Sequence, residues 1–99
     1  MAIHITSGTT VGGTVSTVTF TNWYHNIEVS NRSTGDMWVR FDGTDPTIAG
    51  DECFFVAAQG YIQSVNPKNP PEPALGTTSN TVVKILTAAN ANYTVSAGV

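Results

Sequence analysis

The sequence predicts an all-β chain, an antiparallel β-sandwich or small barrel of about seven or eight short strands. Three observations predict it. Apolar and polar residues alternate with period two along most segments, and no stretch sustains a 3.6-residue period. Turn residues recur every ten or so positions. Threonine is abundant, and its branched Cβ suits a pleated strand better than a helix. At 99 residues the chain is the size of one domain, since a single core commonly serves chains of this length. That domain is expected to span 1–99, with a proline-rich loop at 66–73.

The elements follow in order. Met1, Ile3 and Ile5 alternate with small or polar residues as a first strand. Ser7 to Gly13 reads as a loop, because Ser-Gly-Thr-Thr-Val-Gly-Gly is turn-like in composition. Thr14 to Thr21 is a second strand with Val18 and Phe20 on one face. Trp23, His25, Ile27 and Val29 alternate against Tyr24, Asn26, Glu28 and Ser30 as a third. Met37, Val39 and Phe41 alternate against Trp38, Arg40 and Asp42 as a fourth. These two are expected to form a hairpin across Arg32 to Asp36. The hairpin would pair Val29 with Val39, Ile27 with Phe41, and Glu28 with Arg40 on the outer face.

Asp42 to Thr47 is a turn by composition. Cys53 to Ala57 and Tyr61 to Val65 are the fifth and sixth strands. Pro67, Pro70, Pro71 and Pro73 lack the donor a sheet ladder needs, so their segment reads as an extended loop. Thr81 to Thr87 is a seventh strand with Val83 and Ile85 on one face. Asn92 to Ala97 is an eighth, with Tyr93 and Val95 together. Ile27, Val29, Val39, Phe41, Val83, Ile85 and Tyr93 are expected to share one core.

Charged residues make up 11% of the chain, and the net charge is −3. A phosphate-binding protein needs a basic stripe. Lys68, Lys84, Arg32 and Arg40 do not form one, so neither nucleic acid nor an anionic membrane is an expected partner. Cys53 is the sole cysteine, which rules out an intramolecular disulfide framework. The N-terminal residues carry neither a basic region nor a long apolar run, so no signal peptide is expected. Synthesis and assembly in a cytoplasm follow from these two readings.

No catalytic constellation is legible, and the expected class is non-enzymatic, without cofactor or metal. His4 and His25 sit in strand patterns outside any metal-ligand spacing and read as surface or rim residues. Asp42, Asp45, Asp51 and Glu52 crowd one loop. Their spacing departs from the calcium-loop pattern, and aspartates also serve turns by bonding their own backbone. Cys53 lacks a basic neighbour that would activate it and reads as core or near-core packing. The aromatics are more informative. In the hairpin register Trp23 faces inward, whereas Tyr24 and Trp38 face outward as candidate interface anchors or a stacking platform for a sugar.

The order from Val39-Arg40-Phe41-Asp42-Gly43-Thr44-Asp45-Pro46-Thr47-Ile48-Ala49-Gly50-Asp51-Glu52, through Phe55-Val56-Ala57-Ala58-Gln59-Gly60 and Val82-Val83-Lys84-Ile85-Leu86, to Tyr93-Thr94-Val95 resembles small virion structural proteins of tailed bacteriophages. In those proteins a strand ending in D-G-x-x-P-T precedes a V-K-[IL] strand and a terminal Y-x-V strand. The resemblance spans roughly Ile27 to Val99 and implies a capsid decoration, or minor capsid, protein. Its partners would be the major capsid protein and further copies of itself, with a trimer favoured. Its place would be the capsid surface of the virion, after assembly in the host cytoplasm. The implied task is to bridge or stabilise capsid subunits. A tail, connector or fibre subunit and a carbohydrate-binding β-sandwich module are the alternatives. Adhesive residues are expected at Tyr24 and Trp38, at Pro67, Pro70, Pro71 and Pro73, and at the chain ends through Met1, Ile3 and Val99.

Overall fold

Period-two alternation resolves into eight strands in a computed structural model that describes residues 3–21, 24, 26–41, 43–48, 50, 53–65 and 80–98. They are β1 (Ile3–Thr9), β2 (Ser16–Phe20), β3 (Asn26–Asn31), β4 (Met37–Arg40), β5 (Phe54–Val56), β6 (Tyr61–Val65), β7 (Thr81–Thr87) and β8 (Asn92–Gly98). Helix is absent among the described residues. Inward positions alternate with half-exposed ones, as Ile27, Val29 and Asn31 do on β3 and Tyr93, Val95 and Ala97 on β8.

Strands pair from the ends of the chain inward. β1 pairs with β8, β2 with β7, β3 with β6 and β4 with β5, all antiparallel. The chain is thus one long ribbon closed on itself. Folding the ribbon over adds two lateral pairings, β3 with β8 and β4 with β7. Two four-stranded sheets result, ordered β1-β8-β3-β6 and β2-β7-β4-β5. This is the strand order of an eight-stranded jelly roll, the double-sheet fold made of two Greek keys.

The core lies between the sheets. Ile27, Val29, Val39, Phe41, Val83, Ile85 and Tyr93 are all buried in one cluster, joined by Val18, Phe20, Val56 and Val95. Fully burying a side chain of this size contributes about 1.5–3 kcal/mol.

Two expectations about elements are corrected. β3 and β4 do not form a hairpin, because they lie in different sheets. Val29 and Val39 both point into the core, from opposite sheets, and Glu28 and Arg40 sit on outer faces of different sheets. The connection is an arch fastened by buried Asn31. Its Nδ2 donates to the carbonyls of Gly35 (2.7 Å) and Val56 (3.1 Å), and its Oδ1 accepts from the Ser33 amide (3.0 Å) and hydroxyl (2.7 Å). Nor is Ser7 to Gly13 a loop throughout. β1 runs to Thr9, with Ser7 bonded to Thr94 and Thr9 to Asn92 across the strand pair. Gly8 stands opposite Tyr93. A Cβ there would come within 2.6 Å of the Tyr93 hydroxyl oxygen, so the glycine makes room for the ring.

Candidate functional site

Seven strands turn a face or a residue to the core, whereas the described side chains of β1 stay outside it, so function must be sought on outer faces, edges and loops. Tyr24, expected outside, is buried. Its amide donates to Thr81 Oγ1 at 2.8 Å, and its ring lies 6.0 Å from Phe20 and 4.9 Å from His4. Alternation from Trp23 onward misplaces it because β3 begins only at Asn26. Tyr24 and Ile27 are both buried, three positions apart, so the period is broken between them.

Trp38 does sit on the outer face of its sheet, between inward Met37 and Val39. It stands opposite Leu86 on β7 and Phe55 on β5. Phe55 packs at 6.1 Å with the rings inclined by 62°. Beside Trp38 is a cleft of about 250 Å³, with Thr34 and Asp36 on one wall and Ala88, Ala89 and Asn90 on the other. Ile3 opens β1 opposite Gly98, which brings the two terminal strands together. Met1, Val99, Pro67, Pro70, Pro71 and Pro73 lie outside the described residues, as do Trp23 and His25.

One exposed group was not anticipated. β5 and β6 are edge strands of the two sheets on the same flank, joined there by Asn31, which bonds to Val56 and to Gly60. That flank exposes Phe54 by 47% and Phe55 by 54% on β5 and Tyr61 by 68% on β6, with Phe55 and Tyr61 on the outer faces of different sheets. The signal was present in the sequence: of two adjacent phenylalanines on a strand, one must face away from the core. Phe54 lies at the seam, 5.2 Å from buried Phe41.

The acidic loop contributes little chemistry that can be described. Asp45 pairs with Lys84 at 2.8 Å, while Asp42, Asp51 and Glu52 fall outside the described residues. Cys53 is half-buried in the loop before β5 instead of in the core. Its sulfur accepts from the Thr47 amide at 3.3 Å and donates to the Thr47 carbonyl at 3.6 Å. His4 is exposed at the β1 edge. Among the described residues no three His, Cys, Asp or Glu side chains gather where one metal ion could be held, and no helix is long and apolar enough to cross a membrane. No protein-family model matches the chain, and no curated protein is significantly similar to it.

Proposed function

We propose that this protein is a non-enzymatic shell component, a decoration protein that binds the outer surface of a phage capsid and bridges its subunits. The observation that carries the reading is the aromatic flank of β5 and β6. Monomeric surfaces expose single apolar residues routinely, but exposed aromatics on both edge strands of one flank, two of them adjacent on β5, match the composition of an interface core. The partner would be the major capsid protein, contacted by a homo-oligomer, for which a trimer is favoured. The jelly roll is used by viral capsid and lectin domains. The same fold serves many functions, so the exposed aromatics on the β5 and β6 edges, more than the fold, support the reading.

With 11% charged residues, the adhesive force is apolar. Apolar contacts are insensitive to the screening that, over about 8–10 Å, weakens charge contacts at ordinary ionic strength. Many weak contacts repeated over a shell give high avidity. The protein is therefore expected to co-purify with particles in many copies and to remain through a high-salt wash. Phe55→Ser combined with Tyr61→Ser should lower occupancy while leaving the isolated domain folded. Release by moderate salt, with the double variant still binding fully, would overturn both the surface and the force assigned to it.

A further inference from the structure

The outer face of the β2-β7-β4-β5 sheet carries the Trp38 cleft, which opens on the side of Trp38 away from Phe55 on the β5 edge. We propose that this cleft is a saccharide site, built to stack one face of a neutral pyranose on Trp38 and to hydrogen-bond its hydroxyl rim.

The platform is held in place. Phe55 flanks the indole from β5, whereas the cleft opens on the other side, toward the loop after β7. The indole N–H makes no hydrogen bond among the described residues, which leaves a donor at the edge of the platform. A pyranose is amphipathic in the matching way, with C–H groups on its faces and hydroxyls around its rim. Aromatic side chains take the first and fixed polar groups take the second.

The polar groups are fixed. Asp36 Oδ1 accepts the Ala58 amide at 3.3 Å, which anchors the carboxylate and leaves Oδ2 for a hydroxyl. Asn90 Oδ1 accepts the Gly12 amide at 2.9 Å, which leaves the two Nδ2 hydrogens as donors. The wall that carries Asn90 is braced from behind by the loop after β1. Thr10 bonds to Thr87 and to the Ala91 amide, and the Gly13 amide donates to the Thr87 carbonyl at 2.8 Å. Gly12 presses so closely that a Cβ there would lie 2.7 Å from the Ala88 oxygen and 2.9 Å from Ala89 Cα. A wall braced in advance loses little freedom when a ligand arrives.

Size and charge narrow the ligand. A volume of about 250 Å³ falls below the ~300–1,000 Å³ of pockets for drug-sized molecules, so one or two sugar rings fit. Asp36 is the only charged residue on the lining, which disfavours acidic sugars. An extended peptide is a poorer occupant. Strand addition needs a sheet edge, and β4 and β7 are both interior strands.

The test uses the isolated full chain and does not depend on particles, so its failure would leave the shell reading standing, and the reverse. Methyl β-D-glucopyranoside, methyl β-D-galactopyranoside and D-glucuronate are titrated to about 100 mM, a range suited to millimolar affinities, while the two indole N–H resonances are followed by NMR together with the backbone amides of the lining residues Ala88, Ala89 and Asn90, which give the readout where Trp38 is replaced. At least one neutral glycoside should shift the Trp38 resonance saturably, and glucuronate should not. Asp36→Asn, which retains a carbonyl oxygen for the Ala58 amide, and Trp38→Phe should each weaken binding roughly tenfold, the effect of losing one well-placed contact. No Trp38 shift with either glycoside would overturn the proposal. So would shifts that survive both variants, or a response to a proline-rich peptide in place of the sugars.

Discussion

Asn31 is the buried polar side chain on which the β3–β4 arch depends. It is only 2% exposed, and its amide makes two donor and two acceptor bonds. Asn31→Ala would take a partner from the buried Val56 carbonyl and from the half-exposed Ser33 amide, while the Gly35 carbonyl keeps the Ser33 hydroxyl. At about 1–3 kcal/mol for a buried group left unpaired, a total loss on the order of 1–3 kcal/mol is expected. Urea unfolding of the variant checks it, and a loss below about 0.5 kcal/mol would mean that the arch is held by something else. At this scale the sequence was read well where alternation is unbroken. All seven expected core residues are buried together, because facing the core is a property of position parity within one strand. Tyr24 was misread because it precedes β3, in a segment where parity no longer applies. Asn31 was not singled out, because a buried asparagine looks like any loop asparagine until its partners are placed.

Strand positions were legible apart from β1, which runs on to Thr9 through an expected loop, but strand partners were not. Val29 opposite Val39 and Glu28 opposite Arg40 make a consistent hairpin on paper. The same alternation also arises when two strands face each other across a core, since parity specifies a face and never a neighbour. A cross-linking experiment separates the two arrangements. Direct antiparallel partners lie about 4.5–5.5 Å apart at Cα, within reach of a disulfide, whereas packed sheets lie about 10 Å apart. In a Cys53→Ser background, Ser7→Cys with Thr94→Cys should oxidise readily, because those side chains already touch at 3.0 Å. Glu28→Cys with Arg40→Cys, on outer faces of different sheets, should stay reduced. The reverse outcome, read by non-reducing electrophoresis, would restore the hairpin and dismantle the jelly roll.

For the whole molecule the decisive strand is β8, which lies inside its sheet between β1 and β3. Its inward Tyr93, Val95 and Ala97 are all part of the core. A chain stopped after Ala91 would lose those contacts and would expose unpaired ladders on both neighbours at once. It is expected to give a collapsed NMR amide spectrum, and retention of native dispersion would show that β8 is dispensable. The fold class was legible in full because it depends on how many strands there are and on their amphipathic character. The jelly-roll order was not, because it depends on which distant segments meet. Pairings such as Ile3 with Gly98 leave no mark on local sequence. The aromatic flank is intermediate: Phe54-Phe55 signalled an outward aromatic, but that β5 and Tyr61-bearing β6 are both edge strands follows only from the topology.

The central place of β8 also bears on how the protein is born. Synthesis runs from the N-terminus, and domains tend to fold as their chain emerges. Here β1 and β3 would leave the ribosome early and wait for the strand that belongs between them. The other seven strands precede it, and the β2-β7-β4-β5 sheet is completed only when β7 arrives to join β2 and β4. Until β8 is released, the nascent polypeptide offers open ladders that a second nascent chain, or a chaperone, could occupy. Synthesis of β8 is thereby the event that lets these eight strands close on one another.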